Sequence, residues 1–170
     1  MDSGDFEELA VPLFDSLYST ARWLTGNREE AEDLVQEAYA KALRGFASYQ
    51  QGTNFRAWIF RILRNTFFTS RAGLAAAAQF NVDGEGEEAA TTETPESLVM
   101  MRADEQALEA AMFQLPVPLR EVIVLCHIEE MSYRDIATTL ALPQGTVMSR
   151  LFRARKMLRR LLCEPAARRA

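Results

Sequence analysis

The chain has 170 residues, 48% of them hydrophobic, enough to build one modest core or two small ones. No apolar run approaches bilayer length, and the acidic start Met1-Asp2-Ser3-Gly4-Asp5 is unlike a signal peptide, so a cytoplasmic location is expected. The formal net charge is −5, and the two cysteines, Cys126 and Cys163, with the single His127 give neither a disulfide framework nor a workable zinc set. No metal or cofactor is therefore expected. No phosphate-cradling glycine loop, nucleophile elbow or acid–base pair points to an enzyme.

From Phe6 to Leu24, Leu9, Leu13, Leu17, Ala21 and Leu24 recur at helical spacing, with Pro12 marking a short lead-in. Gly26 ends that helix. Asn27, with Glu30 three residues on, caps a second one that runs to Gly45. Its inward side is Ala31, Leu34 or Val35, Ala38 and Ala42. Its other face carries Glu29, Glu32, Asp33, Gln36, Glu37 and Lys41. Phe46 to Gly52 reads as a loop, and Thr53 or Asn54 caps a third helix from Phe55 to Phe68. Phe55, Trp58 or Ile59, Ile62 and Thr66 are expected to face inward. Arg56, Arg61, Arg64 and Arg71 follow one another with no acid between Phe55 and Arg71. Cations interleaved with aromatics suit unpaired nucleic acid, because the cations hold phosphates and the rings accept unstacked bases.

Composition changes between Arg71 and Arg102. An alanine run, Ala75 to Ala78, precedes Asp83, Glu85, Glu87, Glu88, Glu93 and Glu96, among which no Lys or Arg stands. This reads as a flexible acidic linker, too long for a loop within one compact domain, so two domains are expected. Ala103 to Leu115 is then an amphipathic helix with Leu108, Ala111, Met112 and Leu115 inward. Pro116 and Pro118 open another, Leu119 to Glu129, burying Val122, Ile123, Cys126 and, as an alternative, Leu125.

Ser132 and Asp135 approximate a capping box, and Ile136, Ala137 and Leu140 give the helix after it one apolar side. Pro143 stands where the next helix begins. Val147, Leu151, Ala154 and Leu158 form that helix's buried stripe. Arg150 sits at the edge of the stripe, and Arg153, Lys156 and Arg160 lie well away from it. From Gln144 onward Arg150, Arg153, Arg155, Lys156, Arg159, Arg160, Arg168 and Arg169 face one acid, Glu164. Two short helices at an angle, the second basic on its open side, form a helix-turn-helix able to enter a DNA major groove.

Leu115-Pro116, Arg120, Ser132-Tyr133, Ile136-Ala137, Pro143, Gly145-Thr146-Val147, Ser149-Arg150-Leu151 and Arg153-Ala154-Arg155 carry a resemblance to a known family. The stretch is similar to region 4, the promoter-recognition domain, of the extracytoplasmic-function (ECF) sigma factors within the sigma-70 family. Asp33-Leu34-Val35-Gln36-Glu37-Ala38-Tyr39 resembles the part of sigma region 2 that docks on core RNA polymerase. The resemblance implies an all-α fold of two small helical domains: a region 2-like domain over 1–72, an acidic linker over 73–103, a region 4-like helix-turn-helix domain over 104–163 and a tail over 164–170. It implies Asp33, Gln36 and Glu37 as contacts to core polymerase. It implies Phe55, Trp58, Ile59, Arg61 and Asn65 as the segment that reads and opens the −10 promoter element, and the loop before them as the wall of a pocket for a flipped base. Early turns of a recognition helix reach base edges and later ones reach phosphates, so Gln144, Ser149, Arg150 and Arg153 are expected at the −35 element, with Lys156, Arg159 and Arg160 on the backbone. Pairing of Arg150 with an acid of its own domain, such as Asp135 or Glu129, competes with that role. Implied partners are core RNA polymerase, promoter DNA and an anti-sigma factor, and the function implied is that of a stress-responsive transcription initiation factor. The form around Gly145 to Leu151, with Gly52-Thr53-Asn54, looks like the subgroup that answers thiol-oxidative stress.

The chain also departs from the family pattern. Phe67, Phe68 and Thr69 follow Asn65 where an acidic residue and more basic ones are usual, and Met148 replaces a common Lys. Glu130 and Ala141 stand where glycines commonly close a helix, at a cost of roughly 1 kcal/mol each if those backbones are left-handed. A DNA-binding regulator that acts without polymerase uses the same helix-turn-helix, with the N-terminal half as a dimerisation or sensor domain. Whether DNA binding needs core polymerase separates the two readings.

Overall fold

A computed structural model of the chain describes residues 3–71 and 105–163, and their regular structure is all helical. The expected linker over 73–103 and tail over 164–170 fall outside the described residues, apart from short overlaps at the boundaries. Helix α1 (Ser3–Ala10) passes through a 3-10 turn at Val11–Leu13, where Pro12 sits, into α2 (Phe14–Thr25). The 3-10 turn breaks the helical phase. Leu17, Ala21 and Leu24 are buried as expected, whereas Leu9 is exposed.

Gly26 closes α2 with φ 71°, the left-handed conformation glycine adopts without strain. A Cβ at Gly26 would lie 3.2 Å from the Phe113 ring, so the glycine also admits the second half of the chain. Asn27 caps α3 (Arg28–Gly45), its side chain accepting from the Glu29 and Glu30 amides, and both Leu34 and Val35 are buried. After a 3-10 turn at Phe46–Ser48, α4 (Phe55–Ser70) is capped by Asn54, which accepts from Ala57 N.

The second half opens with α5 (Glu105–Gln114), a shorter helix than expected. Leu108, expected inward, is 39% exposed, because α5 meets α2 near Phe113 and leaves Leu108 on the wall of an open groove with Tyr18 and Trp23. Helix α6 (Val117–Ile123) does not run as a regular α-helix to Glu129. It passes into a π turn at Val124–Ile128, closed by Glu129 N donating to Val124 O at 2.9 Å. Val122, Ile123 and Leu125 are buried, and Cys126, expected inward, is half-exposed. Helices α7 (Tyr133–Leu140) and α8 (Gln144–Cys163) form the helix-turn-helix. Ser132 Oγ accepts from Asp135 N at 3.1 Å, and Val147, Leu151, Ala154 and Leu158 are the buried stripe of α8.

The two halves pack on each other. Trp23 of α2 stacks on Phe113 of α5 with centroids 5.5 Å apart. Leu24, Phe60 and Leu63 of the first half meet Leu125, Thr139 and Leu140 of the second around a small cavity. A single apolar cluster therefore runs through both halves.

Candidate nucleic-acid interface

Helix α8 presents its charges by simple geometry. A stripe at 147, 151, 154 and 158 points inward, so positions near the opposite side point out. Lys156 and Arg160 are exposed there, and Arg153 is half-exposed on the same side. Gln144 is exposed at the helix start. Ser149 is half-buried, and its Oγ donates to Thr146 O at 3.0 Å. Arg150 departs from expectation. It is 4% exposed, and its Nη1 lies 3.9 Å from Glu121 Oε1, so it faces the interior and not a DNA groove in this structure. The acid it meets is neither Asp135 nor Glu129.

Glu121 sits at the centre of a buried ionic group. Arg64 of α4 grips it bidentately, Nε to Oε2 at 2.8 Å and Nη2 to Oε1 at 3.2 Å. Burial pushes the Glu121 carboxyl above its ordinary range, while Arg64 and then Arg150 pull it back. The sequence held a hint, a Glu amid the apolar run Val122 to Leu125. It did not show the Arg64 partner on another helix.

The cationic side of α4 is turned toward the second half. Arg56 Nη2 donates to the Glu129 carbonyl at 2.8 Å and to its Oε2 at 3.0 Å, and Thr20 Oγ1 donates to Glu129 Oε1 at 3.3 Å. Arg61 donates to the Thr138 carbonyl, and Asn54 Nδ2 donates to Asp135 Oδ1 at 2.8 Å. Asn65 is exposed. Phe55 is 8% exposed and lies inside a ring cluster with Phe46 and Tyr49, so it supports the surface and does not form it. Trp58, half-buried, packs its ring 5.4 Å from Phe55 and 5.2 Å from Tyr49. The loop before α4 is held by Tyr49 Oη donating to Thr53 O at 2.6 Å and by Thr53 Oγ1 donating to Gln50 O at 2.7 Å.

Asp33, Gln36 and Glu37 share the exposed side of α3. Glu37 pairs with Lys41 at 2.8 Å, and Asp33 and Glu37 border a shallow cleft with Glu30, Phe67 and Arg71. On the far side of the second half, Arg155 reaches the imidazole Nε2 of His127, with Nε at 3.3 Å and Nη2 at 3.2 Å. Burial, then Arg155, holds the His127 imidazole below its ordinary pKa of 6.5. No group of three His, Cys, Asp or Glu side chains able to hold a metal occurs among the described residues. No helix among them is long and apolar enough to cross a membrane.

Comparison with known proteins places both halves. The family description "Sigma-70 region 2" matches residues 13–73, and "Sigma-70, region 4" matches residues 105–158. The chain is 37% identical over 154 residues to the ECF RNA polymerase sigma factor EcfG of Rhodopseudomonas palustris, covering 90% of this chain and 81% of that protein. It is 35% identical over 161 residues to the ECF RNA polymerase sigma factor SigE of Mycolicibacterium smegmatis; 94% of this chain is covered, but it spans only 62% of that relative's length. Among solved structures, the sigma factor RpoE in complex with the anti-sigma factor NepR from Bartonella quintana superposes with a TM-score of 0.72 at 30% identity, covering 95% of this chain and 99% of that one.

Proposed function

The chain belongs to the ECF sigma factors of the sigma-70 family, and from that premise we propose that it is a stress-responsive transcription initiation factor: it binds core RNA polymerase, directs it to promoters by their −35 and −10 elements, and assists melting at the −10 element. Its chemistry is binding. The observation that carries the reading is α8, whose outer side gathers Arg153, Lys156 and Arg160 opposite a fully packed stripe, inside a helix-turn-helix. Gln144, Ser149 and Arg153 are the residues assigned to −35 base edges, and Lys156 and Arg160 to phosphates. Arg150 is assigned to the interior, with Glu121.

On α4, Trp58, Arg61 and Asn65 are assigned to the −10 strand, with Arg56 and Arg64 as further phosphate grips and Phe55 as the packing beneath them. The exposed Asp33-Gln36-Glu37 side of α3 is assigned to core polymerase. An anti-sigma factor completes the partners, in keeping with the likeness to a sigma factor solved with one. A cytoplasmic location follows from these partners.

In vitro transcription with added core enzyme on a promoter library tests the reading. The expected result is transcription from a subset of promoters sharing −35 and −10 sequences, lost in the Asp33→Ala/Gln36→Ala variant while its helical content is kept. Sequence-specific footprinting by the chain alone, with no effect on transcription by core enzyme, would instead mark a free-standing regulator.

A further inference from the structure

We propose that the described arrangement is a self-closed state, in which carboxylates and a carbonyl of the second half occupy the α4 cations assigned above to the −10 strand. The inference rests on that assignment. Single-stranded DNA presents phosphate oxygens to arginines. Here Glu121 presents two carboxylate oxygens to Arg64, Glu129 presents a carboxylate and a carbonyl oxygen to Arg56, and the Thr138 carbonyl meets Arg61. Asp135 holds Asn54 at the N-terminus of the same helix. These acceptors satisfy the same donors a DNA backbone would use, so the two occupants exclude each other.

The acids are placed for this contact. Glu129 is buried, and besides Arg56 it takes a hydrogen bond from Thr20 of α2. Glu121 is buried between Arg64 of one half and Arg150 of the other. Parting the halves removes Arg64 and leaves Glu121 with Arg150. Arg150 thereby keeps the second half's buried carboxylate paired in the open state, which accounts for an arginine inside a DNA-reading helix. Apolar contacts, Trp23 on Phe113 and the Leu24–Phe60–Leu125–Leu140 cluster, hold the same interface shut. Core polymerase opens the molecule by binding the parted halves more tightly than the closed pair.

The full chain, free of polymerase, is tested by fluorescence anisotropy with a fluorescein-labelled single-stranded DNA of random sequence, and by small-angle X-ray scattering. The variant is Glu121→Gln/Glu129→Gln. Its control, Glu7→Gln/Glu8→Gln on exposed α1, changes net charge equally. Relative to that control, the interface variant is expected to bind the strand about tenfold more tightly, as when a closed state had held all but a tenth of the molecules out of reach, and to show a larger radius of gyration. Equal affinity in variant and control, with unchanged scattering, would overturn the closure. If circular dichroism shows the double variant unfolded, Glu129→Gln alone is compared with Glu8→Gln; a gain above that control supports the closure and no gain overturns it. Promoter-directed transcription by wild-type chain with core enzyme is read in parallel. Its presence without any gain in the variants sinks the closure and spares the sigma-factor reading, and its absence sinks that reading whatever the variants bind.

Discussion

Arg150 shows how far one side chain's role depends on a partner distant in sequence. Its angular position at the edge of the α8 stripe was legible from helical spacing alone. What decided its direction was Glu121, which belongs to another helix and is itself shared with Arg64. Removing one member of a buried charge pair leaves the other under-solvated, so Arg150→Ala is expected to destabilise the fold by about 2 kcal/mol in urea unfolding. Lys156→Ala, on the exposed side, is expected to change stability by less than about 0.5 kcal/mol and to lower promoter affinity in a salt-dependent way. Equal stability of the two variants would show that Arg150 is not a packed residue. Phe55 teaches the same lesson at lower charge. An aromatic at a helix start reads equally well as a stacking surface or as core, and here Phe46 and Tyr49 claim it.

Among the elements, ends were more legible than interiors. Asn27, Asn54 and Ser132 cap their helices as their local sequence predicts, because a cap bonds only to amides two or three residues away. The π turn after α6 was not legible, since its cause is the packing of both halves around it and no glycine or proline marks it. Two helix exits do carry a sequence signal. Glu130 has φ 52° and Ala141 φ 54°, left-handed conformations adopted by residues with a Cβ. Glu130→Gly and Ala141→Gly are each expected to raise stability by about 1 kcal/mol in urea titrations, because glycine meets that conformation without the steric cost. A loss at either site would mean that its side chain makes contacts worth more than the strain.

For the whole molecule, two helical domains were readable from the change of composition after Arg71, but their contact was not. Every polar bond across it joins residues far apart in sequence, as Arg56 joins Glu129 and Asn54 joins Asp135. The only local traces were acids set among apolar residues and an α4 without acids of its own. One shared core predicts one unfolding step. In a Trp58→Phe variant, Trp23 emission reports the contact with Phe113, and it should be lost at the same urea concentration as helical circular dichroism. An earlier loss of emission would show halves that separate before they unfold. The π turn at Val124–Ile128 gives this contact an unusual genetic fragility. A π turn holds one residue more than the α-helix around it. Deleting a single codon there, that of the half-exposed Cys126 for instance, would let the helix relax to α geometry with little loss of packing. Every residue downstream would then be rotated by about 100° about the helix axis relative to α2 and α4. Glu129 would swing away from Arg56 and Thr20, and an in-frame deletion that a reading of side chains alone would score as mild would act as a change of gear between the two halves.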